Sequence, residues 1–384
     1  MVNRFILNEV SYFGPGARKE LPGVVDRLGF KKALVVTDKG IVACGVAKMV
    51  TDVLDEAGIP YELYDEVKPN PTVTNVKNGV KALADAKADF LIAIGGGSSM
   101  DTAKGIGIVT NNPDFADVVS LEGCAPTKHK TVPIIALPTT AGTAAETTIN
   151  YVVIDEKEQR KLVCTDPNDI PAVAIVDAEL MYGLPKKLTA ATGMDAMTHA
   201  IEGLITKAAW ELSDMFELKA IEMINKYLPL AVFDPKNEEG RNGMAVAQYV
   251  AGMAFSNVGL GIDHGMAHPM SALFDIPHGV ACAMLLPTVM RYNAPACLDK
   301  YVDIAKVLGV YKEGMTKVEA ADAACDQIEW LSKTVGIPQH LNEVGIQEKD
   351  IDALADQAIV DACTPGNPRK VTRDDIVALY KQIL

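Results

Sequence analysis

The sequence predicts an α/β chain: a parallel sheet wound with helices in the first half, followed by an all-helical second half. Two patterns predict this. Up to about residue 180, short β-rich runs alternate with segments of helical periodicity. Beyond it, convincing β runs vanish and stretches rich in Ala, Met, Leu and Glu repeat at a spacing of 3–4 residues.

Taken in order, Ala33–Thr37 reads as a buried strand, and Ala43–Ala57 as a helix that ends at Gly58. Tyr61–Tyr64 is a second strand, Thr72–Ala86 a second helix, and Phe90–Ile94 a third strand running into three glycines. Val132–Leu137, Tyr151–Asp155 and Ala172–Asp177 complete the predicted strands. Strands separated by helices imply parallel pairing with helical crossovers. The second half offers helices over Ala191–Thr206, Leu212–Leu228, Gly243–Asn257 and Val318–Val335. The turn at Gly183-Leu184-Pro185 marks the change, giving domains of 1–182 and 183–384. The site is expected in the cleft between them.

Composition narrows the function classes. Of the 384 residues, 49% are hydrophobic and 22% charged, ordinary values for a folded globular chain. No apolar run approaches the ~18 residues of a membrane span, and the N-terminus meets polar residues too early for a secretory apolar stretch. The expected location is the cytoplasm. A formal net charge of −14 repels phosphate backbones and anionic lipid, so neither nucleic acid nor membrane is an expected partner. The seven cysteines are scattered without a C-x-x-C pair, as suits a reducing compartment.

Gly95-Gly96-Gly97-Ser98-Ser99-Met100-Asp101 lies between a strand and a helix. Glycines admit a phosphate to the backbone, and the helix N-terminus offers free N–H groups and a positive dipole end. A plain strand-to-helix turn explains the same residues, Ser98 and Asp101 resemble a capping box, and the spacing is not G-x-G-x-x-G. Pro138-Thr139-Thr140-Ala141-Gly142-Thr143 follows another apolar strand and supplies hydroxyls beside a flexible glycine. Asp38, at the carboxyl end of the first clear strand, is placed to accept from ribose hydroxyls and repel a 2′-phosphate, which favours NAD. A helix cap is the commoner role for such an Asp.

Four of the six histidines (199, 264, 268 and 278) crowd into eighty residues. Asp195 and His199 are four apart in a helical pattern, so both project from one face and can share an ion. Gly261–Pro269 holds a second such pair, His264 and His268, and Pro277-His278-Gly279 presents a further histidine on a turn. One carboxylate with imidazoles suits Fe(II), Zn(II) or a similar borderline divalent ion. Each histidine taken singly is equally explained as a hydrogen-bonded core imidazole. Spacing also leaves His264, His268 and His278 competing for two places, and it does not settle the role of Asp263.

At these residues the chain resembles the iron-containing (group III) alcohol dehydrogenases. The resemblance runs nearly end to end, through Gly95–Asp101, Pro138–Thr143, Gly193–Glu202, Asn257–Pro269, Pro277–Gly279 and Asn367-Pro368-Arg369. It also takes in Val67–Thr72. It implies NAD as cofactor and a metal, Fe(II) with Zn(II) as the other option, on Asp195, His199, His264 and His278. It leaves His268 outside the ligand set as a proton-relay candidate. Cofactor contacts are implied for Asp38, Asn70, Gly97, Ser98, Thr139, Thr140, Thr143, Val152 and Lys161, and substrate contacts for Asn150, Phe255, Leu260 and Cys363. The implied reaction interconverts a short aldehyde and alcohol, lactaldehyde and 1,2-propanediol foremost. A glycerol dehydrogenase-like or other short-chain primary alcohol dehydrogenase is the alternative, and a dehydroquinate synthase-like lyase a remoter one. A homodimer is expected, with the N-terminal strand region at its interface.

Overall fold

The computed structural model describes residues 2–384, which fall into two compact units. The first comprises the chain up to Thr140 together with Ala144–Gly183; the second comprises Ala141–Thr143 and Leu184–Leu384. The six residues of the Pro138–Thr143 loop are thus divided, Thr143 counting with the second unit.

The first unit is built on strands β1 (Val10–Phe13), β2 (Ala33–Val36), β3 (Tyr61–Tyr64), β4 (Phe90–Gly95), β5 (Ile134–Pro138), β6 (Asn150–Asp155), β7 (Arg160–Thr165) and β8 (Val173–Val176). Six of them form one parallel sheet in the order β1-β8-β5-β4-β2-β3. Strands β6 and β7 make a separate antiparallel hairpin, with Val152 opposite Val163 and Ile154 opposite Lys161. The helices are α1 (Leu21–Leu28), α2 (Lys39–Ala43), α3 (Val46–Glu56), α4 (Val73–Ala86) and α5 (Gly97–Asn111).

Alternation along the strands sorts the core into two faces. Ala33, Val35, Phe90, Ile92, Ile94, Ile135 and Ile175 pack with Leu21 and Val24 of α1 and Val50 and Leu54 of α3. Leu34, Val36, Leu91, Ala93, Ile134 and Ala136 pack with Leu83 of α4 and Met100, Ala103 and Ile106 of α5. A sheet covered on both faces needs apolar residues throughout, which is why β2, β4, β5 and β8 read as unbroken apolar runs. The strand order reverses at β2, which has β3 on one side and β4 on the other. Connections leave β2 and β4 in opposite directions there and open a crevice at the strands' carboxyl ends.

Sequence reasoning missed β1 and β7. β1 is a half-exposed edge strand, and β7 opens on Arg160 and Lys161 and alternates buried Leu162 and Cys164 with half-buried Val163 and Thr165. Helix α5 also departs from expectation. Gly96, with no side-chain bond, stands at its N-cap, while Asp101 turns away to accept from Val152 N at 3.1 Å. The Ser98–Asp101 capping box is therefore not formed.

The second unit is helical: α6 (Lys186–Ile205), α7 (Glu211–Phe233), α8 (Glu238–Val258), α9 (Ile262–Phe274), α10 (His278–Asn293), α11 (Leu298–Val307), α12 (Lys317–Val335), α13 (Ile351–Ala358) and α14 (Arg373–Gln382). Helix α6 is buried continuously from Gly193 to Ile205, a core helix without a solvent face, packed by α7, α8 and α10. The bounds of α9 and α10 were not predicted; Pro269 and Pro287 lie within them. In particular, His278 is not on a turn; it is the first residue of α10. No single helix among the described residues is long and apolar enough to cross a membrane; α8 and α9 pass that test only as a pair bent by 103°.

Candidate functional site

In the first unit five of the predicted cofactor residues, Asp38, Gly97, Ser98, Thr139 and Thr140, follow the carboxyl ends of the adjacent strands β2, β4 and β5. Gly95 O accepts from Thr139 N at 2.9 Å, which ties the loop after β4 to the loop after β5. Gly95 has φ +151°, and a Cβ there would lie 2.3 Å from Ser99 Oγ, so only glycine admits the chain at this turn. That same Cβ would stand 3.9 Å from Asp38 Oδ2, and a Cβ on Gly96 would meet Thr140 Oγ1 at 3.3 Å. Asp38, Gly95–Ser98, Thr139 and Thr140 thus surround the N-terminus of α5, in a form that suits a dinucleotide's phosphates and ribose. Asp38 also plays the ordinary role: its Oδ1 caps α2 by accepting from Ile41 N at 2.9 Å. Asn70 takes a left-handed conformation, φ 54°, before Pro71. Val152 and Lys161 lie on the hairpin, Val152 N held by Asp101.

Beneath this loop lies a buried ion cluster that the sequence did not announce. Lys104 is fully buried, and its Nζ donates to Thr148 O (2.7 Å), Thr148 Oγ1 (3.0 Å) and Asn150 O (2.7 Å). Burial lowers its pKa from 10.5 to about 8, against the pull of Asp101, Asp169 and Glu146. Burial likewise raises Asp101 to about 6, against Lys104 and the Val152 N–H. Predicted substrate residue Asn150 is thereby fixed through its backbone.

In the second unit the histidines converge. Asp195, His199 and Glu202 lie at i, i+4 and i+7 of α6, one face of the helix. Helix α9 brings His264 and His268, and α10 brings His278. Asp195 Oδ1 is 3.8 Å from His278 Nε2 and 4.0 Å from His264 Nε2. His199 stacks against His264 at 4.6 Å between ring centroids and against Phe255 at 4.2 Å.

Glu202 arranges this centre. One carboxylate oxygen accepts from Asp263 N at 2.7 Å, and the other from His264 N at 3.3 Å, at the positive end of α9. The latter oxygen is also 2.7 Å from His264 Nδ1. A proton held at Nδ1 leaves the Nε2 lone pair facing Asp195 and His278, the usual support for a metal-bound imidazole. Among the described residues, His264 Nε2 and His199 Nδ1 are buried with no hydrogen-bond partner. Burial, and then His264, hold the His199 pKa well below the usual imidazole value, so the ring is neutral, as a ligand must be. Asp263 is pushed well above the carboxylate range by burial and by Glu202 and Asp195. The neutral His199 ring, the unpartnered His264 Nε2 and the buried acids around them are a donor set that fits a divalent cation.

The backbone is close here too. A Cβ on Gly279 would lie 2.5 Å from Ala191 O and 3.2 Å from Asp195 Cβ, so glycine lets the start of α10 rest directly on α6. His268 stands apart from His264 but stacks with His278 at 5.4 Å, and its Nδ1 is 2.8 Å from Asp361 Oδ2. Asp361 Oδ1 accepts from Cys363 N at 2.8 Å. Leu260 is half-buried, and its carbonyl accepts from Thr206 Oγ1 at 3.4 Å.

Three side chains of the site escaped sequence reasoning. Glu202 follows His199 by three residues, Cys282 follows His278 by four, and Asp361 comes from a distant segment. The first two carried the same helical-face signal as Asp195 and His199. The ligand atoms of Asp195, His264, His278 and Cys282 lie mutually within 4.8 Å; the predicted ligand His199 is not in that group, and its ring stacks on His264.

A doubly wound unit with a glycine turn, joined in one chain to a helical unit with an Asp–His centre, defines a nucleotide- and metal-type oxidoreductase. The chain belongs to the iron-containing alcohol dehydrogenase family, alcohol–aldehyde oxidoreductases. The "Iron-containing alcohol dehydrogenase" model matches residues 8–178, and the "Fe-containing alcohol dehydrogenase family, C-terminal" model residues 189–384. The chain is 57% identical over 380 residues to lactaldehyde reductase of Escherichia coli (strain K12), covering 99% of both chains. It superposes on the crystal structure of a 1,3-propanediol oxidoreductase with TM-score 0.97, at 40% identity and 100% coverage of both. It superposes on sulfoacetaldehyde reductase from Bifidobacterium kashiwanohense in complex with NAD+ with TM-score 0.89, at 31% identity, covering 100% and 99%.

Proposed function

We propose that this chain is a metal-dependent NAD(H) oxidoreductase that interconverts lactaldehyde and 1,2-propanediol. The observation that carries the reading is the His264 imidazole, its Nδ1 on Glu202 and its Nε2 buried, facing Asp195 and His278 without a hydrogen-bond partner. Asp195, His199, His264 and His278 are the assigned ligands, for Fe(II) first and Zn(II) second. When bound, the metal supplies Lewis acidity at the substrate oxygen, and the nicotinamide supplies the hydride acceptor or donor.

The chain's own residues do the rest. Glu202 orients His264, and Phe255 covers the His199 ring and keeps water from that side. Asp361 holds His268 by Nδ1, which leaves Nε2 to carry a proton to or from the substrate oxygen. Bulky Phe255 and Leu260, with Cys363, are assigned to the substrate in the helical unit, and Asn150 is the assigned substrate contact of the α/β unit. Gly97, Ser98, Thr139, Thr140, Thr143, Asn70, Val152 and Lys161 are assigned to the cofactor, and Asp38 to its ribose.

The substrate pair is supported by 57% identity to a lactaldehyde reductase along the whole chain. NAD is supported by the relative solved with NAD+ and by the position of Asp38 beside Gly95. We further assign a homodimer that uses the edge strand β1, and a cytoplasmic location that suits seven cysteines outside any disulfide.

The deciding assay is NADH oxidation with lactaldehyde on anaerobically purified, metal-analysed protein. Turnover that survives complete chelation, or long-chain primary alcohols that outperform 1,2-propanediol, would overturn the reading. Asp38→Gly is expected to weaken the preference for NAD over NADP about tenfold in kcat/KM, the worth of one screened charge contact. An unchanged ratio would remove Asp38 from the ribose site.

A further inference from the structure

Cys282 occupies a place in the helical unit that the assigned ligand set does not use. It sits one turn after His278 on α10, so thiol and imidazole share a helix face. Its Sγ lies 3.7 Å from His278 Nε2, and the side chain is fully buried. The ligand atoms of Asp195, His264, His278 and Cys282 all lie within 4.8 Å of one another. With Zn–S near 2.3 Å and Zn–N near 2.0–2.1 Å, a tetrahedral S–N edge is about 3.6 Å. The Cys282–His278 separation of 3.7 Å already matches that edge, whereas the Asp195–His278 and Asp195–His264 separations of 3.8 and 4.0 Å must close by about half an ångström to reach an N–O edge of about 3.4 Å. Independently of the cysteine, the buried His264 Nε2 has no hydrogen-bond partner among the described residues and looks into this group.

We propose that Cys282 is a metal ligand of this chain, adding a thiolate to the Asp–His centre. The inference rests on the metal reading above. The S–H bond breaks, its proton leaves to solvent, and a sulfur–metal bond forms without any change of oxidation state. A soft thiolate shifts preference away from iron and towards zinc and cobalt, relative to a centre of imidazole and carboxylate alone.

The test loads the full-length protein with Co(II) and records its absorption spectrum and metal content. The proposal expects a strong near-ultraviolet sulfur-to-cobalt charge-transfer band in the wild type and in Cys363→Ala. Cys282→Ser should lose that band but keep the visible d–d bands and one bound cobalt. Zinc affinity, read by competition, should fall in Cys282→Ser by at least roughly tenfold, the lower end of what loss of a mere outer-shell partner costs, and by more than iron affinity falls. Bound cobalt with d–d bands but no charge-transfer band in the wild type would overturn the thiolate and leave the metal reading standing. No bound cobalt, zinc or iron at all would overturn both. Should Cys282→Ser misfold, the wild-type spectrum alone still decides.

Discussion

Each unit buries a cluster of charges, and the two clusters are completed differently. In the α/β unit, Asp101, Asp169 and Glu146 surround Lys104, whose ammonium also binds three oxygens around Thr148 and Asn150. The cation belongs to the chain. In the helical unit, Asp195, Glu202 and Asp263 are buried, and the imidazoles of His264 and His278 stand 4.0 and 3.8 Å from Asp195 Oδ1. With His199 held neutral, that cluster draws its positive charge from outside. The first is a structural anchor made at folding; the second is a socket.

The contrast can be broken from either side. The largest effect is expected from Lys104→Met, which strands three carbonyl and hydroxyl acceptors and the neighbouring acids, at a cost of about 3–5 kcal/mol. Urea unfolding should show that loss equally with and without added metal; rescue by metal would erase the distinction. Next, chelation should lower stability by about 3–4 kcal/mol if the metal normally stands at a hundred to a thousand times its Kd. Hydrogen exchange should locate that loss in α6, α9 and α10, reversibly, and leave the strands of the sheet protected. A uniform loss in both units would count against a local socket.

Glu202→Gln sharpens the comparison further. It keeps the shape but weakens the hold on His264 Nδ1, and metal affinity should fall ten- to hundredfold with the fold intact. An unaltered affinity would reduce Glu202 to a helix cap. The smallest effect is a pH trend. Because Lys104 is depressed to about 8, the native state binds fewer protons than the unfolded chain between pH 8 and 10.5. The stability of the wild type relative to Lys104→Met should therefore rise with pH across that window. A fall would mean that its oxygen partners outweigh burial.

Much of the sheet was legible because burial on both faces forces apolar runs such as Phe90–Gly95, and Thr72 announces α4 through its bond with Asn75. Edge and hairpin strands carry no such demand, so Val10–Phe13 and Arg160–Thr165 stayed hidden. Helices α9 and α10 hide for another reason: residues needed for chemistry and close approach, including His264, Gly265, His278 and Gly279, displace good helix formers. Within the site, Asp195 and His199 could be paired by spacing because one helix carries both. That His264 and His278 meet them depends on the packing of three helices, which local sequence does not encode. The partnership of His268 with Asp361, 93 residues away, left no local trace at all.

Gly279 contributes no ligand, yet it acts as the spacer gauge of the socket. The missing methyl lets α10 settle against the Ala191 carbonyl and the Asp195 stem. A larger residue there would lever His278 away from Asp195 and widen the calibre of the socket. In a saturation library screened against ions of different radius, position 279 would then sort with the ligands, although its own side chain is a single hydrogen atom.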